Sequence, residues 1–396
     1  MREFSSEGGP SDVIEPHGGR LVQRALGAEE AERVAAGGLP RISVSAELAQ
    51  DLRNIGTGVY SPLEGPLGAA DFAGIMASDR LRSGVVWTFP IVLDVTAAEA
   101  ECLSEGAEVA VYEARPQGER LAAVLHLQEK YGFDKQAFVR TVFGTEDESH
   151  PGVARTMARG DVLLAGPVDP VPYADARFAG YDLTPAQTRE TFAARGWRSV
   201  VAFQTRNVPH LGHEDLQKTV LGLCDGLLIH PLVGRKKSGD FRDEVILAAY
   251  QALLDGYYCK DRVLLSVLPT EMRYAGPKEA VHHAIMRKNH GCTHIIIGRD
   301  HAGVGRFYAP EAAIEMFAAF PDLGIQPIMI RGDFFYCRKC RRIESDRTCN
   351  HDRQYRIDFS GTEIRQMLKA GTSPPPEIMR PEVFAVLQAA PNPFVD

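Results

Sequence analysis

SVVAFQTRNVPHLGHEDLQKTVLGL, residues 199–223, passes from a β-branched apolar run to a polar loop and then to a helical pattern. SVVAF (199–203) reads as a buried strand, and EDLQKTVLGL (214–223) as a helix. Working outward in sequence, GLLIHPLV (226–233) precedes a long helix within DEVILAAYQALLDGYY (243–258), and the strand VLLSVLP (263–269) follows. PKEAVHHAIMRKNH (277–290) is helical, THIIIG (293–298) is a strand, PEAAIEMFAAF (310–320) is helical and IQPIMI (325–330) is a strand. Strands that alternate with helices at this spacing predict an α/β unit with a doubly wound parallel sheet. Ligands of such sheets bind beyond the carboxyl ends of the strands, so the loops at those ends are where chemistry is sought.

Upstream the rhythm differs. VVWTFPIVLDV (85–95), AEVAVYEA (107–114) and RLAAVLHLQEKY (120–131) are short apolar runs with turn signals, which favours strands with a few helices. AGPVDPVPYADARFAGYDLTP (165–185) reads as a linker. Three domains are expected, at residues 1–175, 176–330 and 331–396, in keeping with the 396 residues of the chain. Basic residues number 44 and acidic ones 52, a formal charge of −8, so bulk nucleic-acid or membrane-surface binding is disfavoured and an anionic substrate needs a local basic pocket. No apolar run approaches the roughly 18 residues of a bilayer span, and the polar N-terminus lacks the core of a signal peptide. A cytoplasmic protein is expected.

The loop Gln204-Thr205-Arg206-Asn207 leads to His210-x-Gly212-His213 at a strand-to-helix turn. A helix N-terminus attracts phosphate, two imidazoles at this spacing can face one ligand, and Gly212 would let a phosphate come close to the backbone. Taken alone the pattern is equally that of surface or helix-capping histidines; a metal site would want a third ligand nearby. Gly298-Arg299-Asp300-His301-Ala302-Gly303-Val304-Gly305 follows THIII and is either a plain turn or a backbone wrap around a nucleotide, with Arg299 and His301 available for phosphate. Arg235-Lys236-Lys237 is either a solvated face or a lid over phosphates, and Arg273 adds a further cation after VLLSVLP. Ser360 or Thr362 caps the helix of EIRQMLKAG, which Gly371 ends; the same S-x-T-x-x-R pattern also suits phosphate contact through Arg365.

Of seven cysteines, Cys102, Cys224, Cys259 and Cys292 are scattered. Cys337-x-x-Cys340 and Cys349-x-His351 fall within fifteen residues, the spacing of a closed tetrahedral structural zinc (Zn2+) site.

PHGG (16–19), YSPLEG (60–65), QTRNVPHLGH (204–213), HPLVGRKKSGD (230–240), MRYAGPKEA (272–280), GRDHAGVG (298–305) and SGTEIRQML (360–368) together resemble the ATP sulfurylase (sulfate adenylyltransferase) family, nearly end to end. The resemblance implies a PUA-like N-terminal domain, a Rossmann-like H-x-G-H nucleotidylyltransferase domain and a small zinc-stapled C-terminal domain. It implies a nucleotidyltransferase of sulfur metabolism that moves AMP from ATP to sulfate and yields adenosine 5′-phosphosulfate and pyrophosphate. Gln204 and Arg206 would hold sulfate, with the Ala302 backbone closing that pocket. Thr205, Arg206 and Asn207 would be catalytic beside the α-phosphate, and His210 and His213 would bind the β- and γ-phosphates. Gln204 to Asn207 and Gly298, Arg299, Asp300 and His301 would carry the nucleotide, and Ile330 would contact adenine. Magnesium (Mg2+) would come with ATP, and a homo-oligomer, a dimer first, is implied. Pro66 departs from the family pattern, where an aromatic is expected after YSPLEG. No GxxxxGK[ST] loop is present, so no fused kinase unit is expected.

Two other readings stand beside this one. An H-x-G-H nucleotidylyltransferase with a nucleotide or pantetheine phosphate as acceptor would explain the histidines but not the other loops. A non-enzymatic RNA-binding protein built on the PUA-like and zinc modules would need salt-sensitive RNA affinity, which the acidic balance opposes.

Overall fold

A computed structural model describes residues 13–359 and 361–395. Residues 1–12, Ser360 and Asp396, with the side chains of Gly361 and Thr362, lie outside the described residues. The polar N-terminal stretch and the Ser360/Thr362 cap therefore belong largely to that excluded part. No helix among the described residues is long and apolar enough to cross a membrane.

The parallel sheet forms as read. Its strands lie in the order Val263–Leu265, Gly226–Val233, Val200–Thr205, His294–Ile296, Gln326–Ile328, with Leu268–Pro269 pairing further along Gly226–Val233. Every pairing in it is parallel. In chain order this is 3-2-1-4-5, so the winding reverses between Val200–Thr205 and His294–Ile296. The ladder between those two strands ends at Ala202 opposite Ile295, leaving Gln204 and Thr205 to border a crevice at the switch point.

Both faces of the sheet are covered, which explains why its strands are apolar without alternation. Val200, Ala202 and Leu228 pack into one core, which continues into the N-terminal half of the chain. Val201, Phe203, Leu227 and Ile229 pack into a second core with the helices Asp243–Tyr257 and Pro381–Ala389. VLLSVLP is broken at Ser266–Val267, because the Ser266 hydroxyl and the Val267 N–H both turn to the Tyr181 carbonyl, each at 2.8 Å.

The N-terminal half holds a four-stranded sheet in the order Arg41–Val44, Glu108–Arg115, Gly118–His126, Val168–Pro170. A second sheet pairs Leu93–Val95, Val162–Ala165 and Glu129–Gly132. Two sequence expectations need correction here. Of VVWTFPIVLDV, only Leu93–Val95 is a strand; Pro90 cannot donate to a ladder, and the stretch before it makes only an isolated bridge, Val86 to Arg80, with Trp87 N–H donating to Asp79 O at 2.8 Å, while Trp87 Nε1 donates to Phe89 O at 2.8 Å and Thr88 Oγ1 to Lys278 O at 2.6 Å. The stretch read as a linker contributes the edge strand Val168–Pro170, flanked by prolines that an edge tolerates.

The helix Pro277–Asn289 lies between the two halves, and most of its residues are buried. Asn289 at its end donates to Val59 O and Ser61 O at 3.0 Å and accepts from His17 N–H at 2.9 Å, so it binds both PHGG and YSPLEG. Gly18, at φ +74°, lies so close to Pro62 that a Cβ would sit 2.7 Å from its ring. The two motifs are parts of one packed corner.

Candidate active site and metal cluster

At the switch point the chain leaves Val200–Thr205, turns through Arg206 and Asn207, and enters the helix Leu211–Leu221. Thr205 Oγ1 pins the turn, accepting from Asn207 N–H at 3.1 Å. His210 is the helix N-cap, its Nδ1 accepting from His213 N–H at 3.3 Å. The rings of His210 and His213 stack with centroids 3.8 Å apart, and His210 also stacks on Phe359 at 5.2 Å. Burial holds His213 down at about 4; burial, and then His213 itself, holds His210 well below its usual value. Both rings are thus neutral at pH 7. Gly212 also makes room for the stacked rings: a Cβ there would lie 3.0 Å from the His210 ring and 3.1 Å from Phe359.

Arg206 donates to Tyr274 Oη at 3.3 Å and makes no ion pair among the described residues. Gln204 Oε1 is buried and accepts no hydrogen bond there, while Asn207 is exposed. Tyr274, missed in the sequence, sits at φ +63° and gathers cations. Arg206 lies 5.7 Å and Lys237 Nζ 4.4 Å from its ring centroid. The only signal for it was its place in MRYAG, where the arginine drew notice.

The basic residues after the other strands part ways. Lys236 is buried and paired with Asp243 at 2.8 Å, Lys237 covers Tyr274, and Arg235 is exposed. The loop is not a free lid, because the C-terminal segment pairs with it: Gly239 N–H donates to Val395 O and Val395 N–H to Asp240 O, both at 2.8 Å, and Arg242 N–H to Pro393 O at 2.9 Å. Arg273 is buried and ion-paired with Glu47 and, at 2.5 Å, with Asp51 on the N-terminal helix Ala46–Gly56. It joins the two halves and is not open to a phosphate.

In the loop after His294–Ile296, Gly298 and Arg299 are exposed, and Arg299 pairs with Asp333 at 2.6 Å. Asp300 and Ala302 have φ of +54° and +59°, and the Ala302 carbonyl accepts from Gly276 N–H at 3.1 Å. His301 between them is part-buried, its Nε2 3.1 Å from His283 Nδ1. His283 also feels the charge of Arg206, so the two loops meet around it. Ile330 is part-buried against the second core, and Arg365 is part-buried on the helix Gly361–Lys369.

The cysteine motif forms a separate centre on a three-stranded antiparallel sheet of Arg342–Ser345, Phe334–Cys337 and Arg356–Asp358. Cys349 Sγ lies 3.6 Å from Cys337 Sγ and 3.8 Å from Cys340 Sγ, and His351 Nδ1 lies 3.3–3.5 Å from all three sulfurs. These four atoms form a set able to hold a metal ion.

A sequence profile of the ATP-sulfurylase family matches residues 179–390, and one for PUA-like domains matches residues 14–172. The protein named sulfate adenylyltransferase in Hyperthermus butylicus is 49% identical over 97% of this chain and 98% of its own length. Those of Symbiobacterium thermophilum and Pyrococcus abyssi are 48% and 46% identical, over 96% and 97% of this chain and 98% and 100% of theirs. A structure described as a hexameric APS kinase from Thiobacillus denitrificans superposes with a TM-score of 0.73 over 95% of this chain and 68% of that one; at 24% identity it supports the fold alone. With the profile over most of the parallel-sheet half and relatives matched from end to end, the chain belongs to the ATP sulfurylase (sulfate adenylyltransferase) family.

Proposed function

We infer that the chain performs the reaction its relatives are named for, the reversible transfer of AMP from ATP to sulfate, giving adenosine 5′-phosphosulfate and pyrophosphate. The observation that carries this reading is the near-complete match to sulfate adenylyltransferases at 46–49% identity. The switch-point crevice supports it: a guanidinium without a carboxylate partner among the described residues, two neutral imidazoles at a helix N-terminus, and a cationic loop on one tyrosine suit an anionic nucleotide.

In the proposed mechanism a sulfate oxygen attacks the α-phosphorus in line. The bond to the bridging oxygen breaks, and its electron pair leaves with pyrophosphate. Sulfate is a weak nucleophile, so catalysis rests on orientation and on cationic stabilisation of charge spread over the phosphate oxygens. Gln204 and Arg206 hold sulfate, with the Ala302 backbone beside it. Thr205, Arg206 and Asn207 face the α-phosphate, and His210 and His213 take the β- and γ-phosphates. Gly298 to His301 carry the nucleoside, with Ile330 at adenine. Magnesium enters with ATP as part of the substrate, held mainly by phosphate oxygens; the metal-ligand cluster found among the described residues is the cysteine–histidine set, away from this crevice.

Zinc suits that set. Metal–sulfur bonds of about 2.3 Å and metal–nitrogen bonds of about 2.0 Å give tetrahedral edges of roughly 3.8 Å between sulfurs and roughly 3.5 Å from sulfur to nitrogen. The edges measured above fall close to both. Four protein ligands close the sphere, which makes the ion structural. The domain division near residues 175 and 330, a cytoplasmic location, a homo-oligomer with a dimer first, and no nucleic-acid or membrane partner complete the reading.

The test is to add adenosine 5′-phosphosulfate and pyrophosphate to the purified protein and follow ATP. This direction is downhill, because a phosphoric–sulfuric anhydride is consumed. Rapid, magnesium-dependent ATP formation is expected. Silence from folded protein would point to a different acceptor on the same scaffold.

A further inference from the structure

Behind the nucleotide-side loop runs a line of three titratable side chains, and the two that the proposed mechanism does not use are buried. Glu279 and His283 are four residues apart on the helix Pro277–Asn289, hence on one face, and both are almost fully buried. Glu279 Oε1 accepts from Arg273 N–H at 2.7 Å and Oε2 from Ala275 N–H at 2.9 Å. Glu279 Oε1 also lies 3.4 Å from His283 Nε2. His283 Nδ1 lies 3.1 Å from His301 Nε2, with the two rings tilted by 70°. Arg287 Nη1 steadies the near end by donating to the His283 carbonyl at 3.4 Å.

A hydrogen bond between two imidazole nitrogens holds one proton, and which nitrogen supplies it is set by what the other side of each ring faces. Burial pushes the Glu279 carboxyl up, and the backbone N–H groups that both of its oxygens accept oppose this and favour the charged form. It draws the His283 proton to Nε2 and leaves His283 Nδ1 as an acceptor. His301 must then donate from Nε2, which leaves its Nδ1 free of the line. His301 itself sits between two residues of positive φ.

We propose that Glu279 and His283 are positioning residues that fix the ring and tautomer of His301, with Nε2 protonated and Nδ1 left for the ligand. The idea rests on the functional reading above only in making His301 a nucleotide-side residue. Glu279 also anchors the Arg273–Ala275 backbone, so His283 is the cleaner handle. His283→Leu keeps the approximate volume and removes both polar ends, whereas His283→Gln retains a donor and an acceptor.

The experiment joins two readouts on the full chain. Nitrogen-15 NMR of labelled histidines, with His301 assigned by its loss in His301→Asn, is expected to show a single Nε2–H tautomer in the wild type and a mixture in His283→Leu. In ATP synthesis from adenosine 5′-phosphosulfate and pyrophosphate, His283→Leu is expected to lower kcat roughly tenfold or more with a smaller change in KM, and His283→Gln to recover most of it. An unchanged His301 tautomer in His283→Leu, or equal losses in the Leu and Gln variants, would overturn the relay. A wild type with the expected NMR pattern but no ATP synthesis supports the relay and counts against the adenylyl-transfer reading alone.

Discussion

Arg206 carries a permanent charge, reaches the crevice from a pinned turn, and has a tyrosine hydroxyl but, among the described residues, no carboxylate for company. Its planar fork can hold one tetrahedral oxyanion and steady the charge of another as the transfer proceeds. Replacing it costs the fold little, since it fills no core position and breaks no ion pair among the described residues. Arg206→Ala is expected to lower kcat at least about a hundredfold while the melting temperature stays put; steady-state ATP synthesis and a thermal melt check both. Near-normal turnover would show that the sulfate pocket lies elsewhere. At this scale the sequence supplied the loops and residue types, because strand ends and H-x-G-H spacing are local patterns. It did not supply Tyr274 or His283. Their partners lie 68 and 18 residues away, and only the packed sheet brings them together.

Among the elements, the parallel strands were legible because each is an apolar run covered on both faces, bounded by turn signals. The failures have two roots: proline-flanked residues at a sheet edge hide the strand Val168–Pro170, and elsewhere an apolar run finds its polar partners outside a regular ladder. Trp87 N–H turns to Asp79 O and Ile91 O accepts from Leu67 N–H, and VLLSVLP breaks where Tyr181 competes for its polar groups. A second local success is the cysteine–histidine sheet, whose hydrophobic cluster among the described residues is small: Phe335, Cys337 and Cys349, with Cys340 and Tyr355 against them. With so little apolar area, the unit would depend on the ion that its four ligands are able to hold. Cys340→Ser is expected to lose bound zinc and to lower the melting temperature by several degrees, with elemental analysis and calorimetry as the measurements. Undiminished zinc in that variant would refute the ligand set.

Over the whole molecule, the halves are joined by buried polar chemistry as well as by a shared core. Arg273 meets Glu47 and Asp51, Asn54 Nδ2 donates to Pro269 O at 2.9 Å, and Arg53 pairs with Asp182 at 2.6 Å. Removing one member of a buried ion pair strands the others. Arg273→Met is therefore expected to cost about 3 kcal/mol or more, read as a lower urea midpoint, and to loosen the two halves enough for limited proteolysis to cut between them. A midpoint equal to wild type would mean that water reaches and satisfies the two carboxylates. The pairing of residues 393–395 with residues 239–242 has a practical side for handling the enzyme. A purification tag or surface tether placed after the last residue would hang from the short ladder that steadies Lys237 over Tyr274, and any pull on it would be felt beside the crevice. The thiol of Cys102, on the other half of the chain, is a better point for immobilisation or for a fluorescent label once Cys259, which is also exposed, has been replaced.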